Sequence, residues 1–191
     1  MPGPWPGVCL DLGDKDKAAR ALSVLEPEAF LRRKIREDVR METAKPRQSL
    51  TGIVGADEKR VWDALLETSP YLTPRMREMI TGSPGMLCFP ARPAGGEAET
   101  SPVPGVNVEA DNDARTLAIS GQWWFRGVYS TIPQGPDTLV RYQVFNAAPG
   151  ATRWLVPLVA GPALRASAGP QFEQTLTAIS SLLGCPARPA H

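Results

Sequence analysis

Between about residues 85 and 147, apart from a predicted surface loop over residues 91–104, hydrophobic side chains tend to recur at every second position. This stretch constrains the fold more than any other part of the sequence. Alternation of this kind predicts β-strands that bury one face. The clusters Asp111-Asn112-Asp113 and Gln134-Gly135-Pro136-Asp137 favour tight turns. Strands joined by tight turns pair antiparallel, so the sequence predicts an antiparallel meander and excludes a parallel βαβ array. The predicted strands are Met86–Phe89, a strand at Val106 and Val108, a strand at Leu117 and Ile119, Trp123–Ile132, and Leu139–Phe145.

Two short helices are predicted to follow a first strand at residues 48–54. Asp57 and Glu58 favour a helix start, because carboxylates interact favourably with exposed N–H groups and the positive end of the helix dipole. Thr73 is a suitable N-cap for a second helix, and Gly82 can end it. The residues predicted to face the core are Val61, Trp62, Leu65 and Leu66 in the first helix, and Met76, Met79 and Ile80 in the second.

The chain is predicted to close with a third helix. Phe172, Leu176, Ile179 and Leu183 lie at the spacing of one helical face, and Gly184 is a suitable end. Gly169-Pro170 predicts a break or kink, because an internal proline removes a backbone hydrogen bond and clashes with the preceding turn. Residues 162–168 are therefore expected to form a separate short helix, with Pro170 starting the terminal one.

The chain of 191 residues is long enough for one domain with additions. We expect a partly helical N-terminal extension over residues 1–46, the main domain over 47–185, and a flexible tail over 186–191. Within the extension, a predicted helix carries the basic residues Arg32, Arg33, Lys34 and Arg36 on one face. A solvated helix face is the first interpretation of this basic tract, and contact with a protein partner is the alternative.

Composition excludes several classes of function. The formal net charge of +1 gives no overall footprint for nucleic acid, and no apolar run is long enough to span a membrane. The single histidine is the last residue printed, His191, so a histidine-dependent catalytic triad is not indicated. Cys9, Cys88 and Cys185 have no paired spacing, so neither a disulfide framework nor a metal site is indicated. The glycine-rich signatures of dinucleotide and P-loop binding are also absent. We therefore expect a cytoplasmic protein without a metal or other cofactor.

The predicted order of elements resembles the START/Bet v 1-like superfamily, also called SRPBCC, over about residues 47–184. The segment from Val54 through Val61-Trp62 to Leu66 is similar to the family's first strand running into its first helix. Residues 121–129 and 141–146 are similar to the central strands of small actinobacterial-type members. The resemblance implies an α+β helix-grip fold, in which a curved antiparallel sheet wraps around the C-terminal helix and leaves a cavity between them.

The alternation along the strands then predicts which residues line such a cavity. Ligand sites are concave and apolar, with a few polar groups that fix orientation. For each aromatic side chain in the set, simple core packing is the alternative interpretation. The expected ligand-binding residues are Trp123, Phe125, Val140, Val144, Asn146, Met79, Met86, Phe172 and Leu176.

The candidate catalytic residues are Arg126, Tyr129 and Tyr142. An arginine on a half-buried strand can reach solvent through its stem; if Arg126 or Arg141 points inward instead, it must pair with a carboxylate or a ligand oxygen. A phenol can donate to a ligand oxygen or act as a general acid, although an unperturbed phenol titrates near ~10.

Three functions follow from this interpretation. The first is binding of a small hydrophobic molecule, polyketide-like or lipid-like, in the cavity. The second, implied by the resemblance to polyketide cyclases and dehydrases, is an enzyme that orients a reactive chain for ring closure. The third is a protein-interaction module that uses the basic N-terminal helix and the meander.

Overall fold

Along the described residues of the computed structural model, one strand, two helices, five strands, a long helix and a final short strand follow one another. The structure describes residues 45–91, 100–121, 124–148 and 161–190, with the backbone alone for 161–165. Within these ranges the strands are β1 (Gln48–Val54), β2 (Met86–Phe89), β3 (Val106–Asp111), β4 (Thr116–Gly121), β5 (Phe125–Gln134), β6 (Asp137–Asn146) and β7 (Ala187–Ala190). The helices are α1 (Glu58–Thr68), α2 (Pro74–Gly82) and α3 (Gly161–Leu183).

All the described strands belong to one antiparallel sheet. Its spatial order is β2-β3-β4-β5-β6-β1-β7, so β2 to β6 form the predicted meander and β1 adds to the far edge of β6. The protein is therefore α+β, with an antiparallel sheet, two helices after the first strand and a C-terminal helix, as the sequence indicates.

Local signals place the first two helices. The Asp57 side chain accepts a hydrogen bond from the backbone N–H of Arg60 at 3.1 Å and caps α1. Thr73 caps α2 in the same way, with Pro74 at its first position. Trp62 of α1 is fully buried, and its Nε1 donates to Asn112 Oδ1 in the β3–β4 turn at 3.0 Å. This bond fixes α1 against the meander.

Alternation along the strands divides the sheet into an inner and an outer face. In β6 the even-numbered residues are buried, while their odd-numbered neighbours are half-buried. In β5 the odd-numbered residues Gly127, Tyr129 and Thr131 are the buried ones. Because Tyr129 of β5 pairs with Tyr142 of β6, these two buried sets lie on the same inner face, under α3.

Helix α3 packs on the inner face through its predicted stripe. Phe172, Leu176 and Ile179 are all buried, at 3% exposure or less. Leu176 lies directly over Gly52 of β1: a Cβ at Gly52 would come within 2.5 Å of Leu176 Cδ1 and 3.2 Å of the Arg188 carbonyl oxygen. The absence of a side chain at Gly52 therefore determines how closely the helix approaches the sheet.

The predicted break at Gly169-Pro170 is wrong, because α3 runs as one helix from residue 161 to 183 with Pro170 inside it. Pro170 is exposed, as is Ala166, so the carbonyl that loses its N–H partner lies where water can reach it. Gly169 has no Cβ to clash with the proline ring, which removes part of the usual restriction on the residue before proline. Residues 162–168 are the first part of α3, not a separate helix.

The predicted flexible tail is also corrected. Ala187–Ala190 forms β7, which pairs with Thr51–Val54 of β1. The Thr51 hydroxyl donates to the Ala190 carbonyl at 3.0 Å, and the Gly55 N–H donates to the Pro186 carbonyl at 2.9 Å. Gly184, at φ 63°, ends α3 as predicted and turns the chain back toward the sheet.

Some expectations fall beyond the described ranges. The N-terminal extension, except for residues 45 and 46, and its basic helix at Arg32–Arg36 lie outside the described residues. The cysteine interpretation needs one correction, because Cys88 of β2 is disulfide-bonded, whereas Cys185 is free. The spacing of the cysteines does not indicate that bond.

Substituting Gly52→Ala tests how the helix is positioned. The added methyl group must displace the buried Leu176 side chain, and we expect the free energy of unfolding to fall by about 1–3 kcal/mol, the usual cost of overpacking. Urea unfolding followed by circular dichroism measures this change. The matched control is Gly121→Ala, whose Cβ would lie 3.4 Å from Val106 Cγ2 and should change stability by less than about 1 kcal/mol. Equal stability of the two variants would contradict the account.

Candidate functional site

A cavity of about 320 Å³ lies between α3 and the inner face of the sheet, beside the C-terminal end of α1. Three parts of the fold supply its walls. The end of α1 and the segment after it contribute Leu65, Thr68, Ser69, Pro70 and Tyr71. The sheet contributes Leu117, Ile119, Phe125, Tyr129 and Tyr142. Helix α3 contributes Gln171, Gln174, Thr175 and Ala178, which flank its buried stripe.

The tyrosines of the chain converge on this cavity. The sequence contains three, and Tyr71, Tyr129 and Tyr142 all line it. The rings of Tyr129 and Tyr142 stack, with centroids 4.4 Å apart and an angle of 24° between their planes. Tyr142 also stacks against Phe172 of α3, at 6.3 Å and 11°. A continuous stack of aromatic rings therefore connects β5, β6 and the helix.

Burial keeps two of these phenols protonated. It raises the pKa of Tyr142 above its ordinary value of 10.0, and the neighbouring Tyr129 raises that pKa further. Burial also raises the pKa of Tyr129, against a smaller opposing effect from a hydrogen bond with the Thr175 side chain. At neutral pH both groups are neutral phenols, which act as hydrogen-bond donors and not as bases.

The two phenol hydroxyls have different neighbours. Tyr129 lies beside Thr175, whose hydroxyl donates to the Gln171 carbonyl at 3.0 Å. The Tyr142 hydroxyl has no hydrogen-bond partner among the residues that the structure describes. It lies over Gly127 of β5, where a Cβ would come within 2.9 Å of Tyr142 Oη. Gly127 thus provides the space that the hydroxyl occupies.

Of the nominated ligand-binding and catalytic residues, Phe125, Tyr129 and Tyr142 line the cavity. The other inward-facing residues are as buried as predicted, but they fill the core and do not reach the cavity wall. Asn146 belongs to this second group: its side chain accepts a hydrogen bond from the Ala148 N–H at 3.0 Å. The remaining core residues of the nominated set are Val140, Val144, Phe172 and Leu176.

Arg126 does not reach the cavity, because the alternation of β5 places it on the outer face. There its guanidinium pairs with Glu109 at 2.8 Å, and both side chains are one-quarter exposed. Arg141 of β6 lies on the same outer face. Arg126 is therefore not a wall residue of this cavity, and its catalytic role stays a prediction.

Two nominated methionines are also misplaced. Met79 is 40% exposed and Met86 is 44% exposed, so neither forms a cavity wall. In α2 only Met76 and Ile80 are buried, because this nine-residue helix presents a narrow apolar stripe. Trp123 lies outside the described residues.

Sequence reasoning missed the part of the site that lies off the sheet. Tyr71 sits in the connection between α1 and α2, where no periodicity indicates which way a side chain points. Gln171, Thr175 and Ala178 follow one another at helical spacing beside the Phe172–Leu176 stripe. This helical spacing could have identified them as candidate cavity residues, because side chains beside the buried face of a helix line a cavity at the edge of that face.

The described part of the chain contains neither a cluster of metal ligands nor a membrane-spanning helix. It contains no group of three or more His, Cys, Asp or Glu side chains that could hold a metal ion. None of its helices has the length and hydropathy needed to cross a bilayer.

The raised phenol pKa values predict a loss of stability in alkali. Because the unfolded phenol ionises near 10 and the folded one at higher pH, the folded state is favoured fully below pH 10 and progressively less as pH rises above it. We expect the free energy of unfolding to fall less steeply between about pH 9 and 11 for Tyr142→Phe than for the wild type. Urea unfolding across this range gives the comparison. Parallel curves would show that Tyr142 ionises equally easily in both states.

Comparison with known proteins gives structural similarity only. No family model and no curated protein matches the chain. The solution structure of the 18 kDa protein CC1736 from Caulobacter crescentus is similar with a TM-score of 0.39 and 18% identity, covering 72% of this chain and 97% of that one. The crystal structure of TTHA0849 from Thermus thermophilus is similar with a TM-score of 0.31 and 12% identity, covering 70% of this chain and 92% of that one.

Proposed function

We propose that this protein binds a small hydrophobic molecule in the cavity between the sheet and α3. The observation that carries the proposal is the cavity of about 320 Å³ whose walls combine apolar side chains with three tyrosines. Ligand sites have this character: a concave apolar surface with a few polar groups that orient the ligand. The volume lies at the lower end of the usual range of about 300–1,000 Å³, which suits a molecule of one or two rings.

The construction of the cavity supports the same proposal. Its floor consists of buried residues such as Leu117, Ile119 and Tyr142. Its rim consists of exposed Pro70, Gln171 and Gln174, so the cavity opens to solvent between α3 and the segment after α1. A ligand entering there would cover apolar surface and release water, which is the favourable term in binding apolar molecules.

We extend the proposal to the fold family. The order of strand, two helices, meander and terminal helix, together with the cavity under α3, supports membership of the START/Bet v 1-like superfamily with a helix-grip fold. A polyketide-like or lipid-like ligand and a cytoplasmic location belong to the same proposal.

The ring-closing enzyme remains the second candidate, and Tyr129 and Tyr142 are the observation in its favour. Phenols that stay neutral could polarise a ligand carbonyl through hydrogen bonds. The cavity residues include no arginine, so this candidate relies on the phenols and on orientation of the substrate. For the protein-interaction candidate, the basic helix lies outside the described residues, and the structure adds no observation in its favour.

Filling the cavity tests the proposed function. N-phenyl-1-naphthylamine is a neutral apolar fluorophore whose emission increases and shifts to the blue in an apolar site. We expect saturable binding to the wild type and at least a tenfold weaker affinity for Ala178→Trp, because the indole would occupy the cavity. Fluorescence titration gives the dissociation constants.

The control is Glu173→Trp, which places the same indole on an exposed position of the same helix. It should leave the affinity within about twofold, in line with the small effects of surface substitutions. Thr68→Trp fills the cavity from the opposite wall and should reproduce the loss if Ala178→Trp proves too unstable to measure. Unchanged affinity in both filling variants, or no binding to the wild type, would contradict the proposed function.

A further inference from the structure

The lining of the cavity is uncharged. Among the described residues that form its walls there is no Asp, Glu, Lys, Arg or His, and the polar groups are hydroxyls and the amides of Gln171 and Gln174. Two described ion pairs lie outside the cavity walls: Arg77 pairs with Glu67 at 2.7 Å, and Arg126 pairs with Glu109 on the outer face. An anionic ligand would lose its hydration in the cavity without gaining a cationic partner among the described wall residues, which is costly.

The polar group best placed to meet a ligand is the Tyr142 hydroxyl. It lines the cavity, the residue is 4% exposed, and no described residue accepts or donates a hydrogen bond there. A neutral phenol that the protein leaves without a partner offers its O–H to an acceptor that enters the cavity. The neighbouring Tyr129 hydroxyl lies beside Thr175 on the same cavity.

From these two observations we infer that the cavity selects neutral molecules that carry a hydrogen-bond-acceptor oxygen, such as a ketone or ester on an apolar ring body, and excludes carboxylates of the same shape. Tyr142 is the residue that donates to this oxygen. The inference rests on the proposed function and narrows it, since it separates neutral carbonyl compounds from fatty-acid-like anions within the class of hydrophobic ligands.

Gly127 positions the Tyr142 hydroxyl, because it leaves space for that group beside β5. A methyl group there would come within 2.9 Å of Tyr142 Oη and 3.0 Å of Phe125 Cζ. Both rings line the cavity, so a side chain at residue 127 would push the donor and its aromatic neighbour away from β5. We expect Gly127→Ala to weaken binding of an acceptor-bearing ligand although residue 127 is not itself a wall residue.

Three probes of nearly equal shape test the inference by isothermal titration calorimetry: 2-acetylnaphthalene, 2-naphthoate and 2-ethylnaphthalene. The first is neutral with a carbonyl, the second is an anion at neutral pH, and the third has no acceptor. For the wild type we expect 2-acetylnaphthalene to bind at least tenfold more tightly than 2-naphthoate. We also expect Tyr142→Phe to weaken 2-acetylnaphthalene by about three- to tenfold, the usual effect of one hydrogen bond, and to leave 2-ethylnaphthalene within about twofold.

The outcomes separate the inference from the proposed function. If 2-naphthoate binds as tightly as 2-acetylnaphthalene, or if Tyr142→Phe affects both neutral probes equally, the inference is overturned while the cavity remains a hydrophobic binding site. If none of the three probes binds, both are overturned. Gly127→Ala should weaken 2-acetylnaphthalene, whereas the control Gly121→Ala, outside the cavity walls, should not. Tyr142→Phe keeps the ring stack, so it provides the test even if Gly127→Ala fails to fold.

Discussion

The contact between Leu176 of α3 and Gly52 of β1 determines how the rest of the structure is arranged. Because Gly52 has no side chain, the buried stripe of the helix reaches the sheet so closely that a Cβ at this position would lie 2.5 Å from Leu176 Cδ1. Phe172 then meets the Tyr142 ring, and the flank of the same helix stands over the cavity. The strand β7 returns from α3 to pair with β1, so the chain holds the helix on the sheet from both sides of Gly184.

Strand alternation gives the two faces of the sheet different chemistry. The outer face carries charged residues such as Arg126, Glu109 and Arg141, which pair with one another or reach solvent. The inner face carries aromatic and aliphatic residues, and its polar groups near the cavity are neutral hydroxyls. A change of one residue in the register of β5 would exchange Tyr129 for Val128 or Ser130 and remove the cavity's aromatic wall. The specificity that we infer therefore follows from the same alternation that builds the core.

Much of the fold could be predicted from the sequence because its signals are local. Periodicity and the caps at Asp57 and Thr73 placed β1, α1 and α2, and alternation placed Tyr129 and Tyr142 on one face. The failures concern tertiary context. Pro170 stays within a helix because it is exposed and follows Gly169, and residues 187–190 form a strand only because the edge of β1 is available to them. Periodicity shows that Phe125 and Val140 both point inward, but it does not show that only Phe125 lines the cavity. It gives no information about Tyr71, which lies between two helices. The cavity walls depend on where three separate elements meet.

The central claim is that a ligand occupies the space enclosed by the three tyrosines, and their number makes a direct measurement possible. Protein labelled with ¹³C only in its tyrosine rings should give ring signals from Tyr71, Tyr129 and Tyr142 alone. On titration with 2-acetylnaphthalene, the account predicts shifts in the signals of all three rings and intermolecular nuclear Overhauser effects from the naphthyl protons to them. Saturable binding that leaves all three tyrosine signals unchanged would contradict the account, because the ligand would then lie elsewhere on the protein.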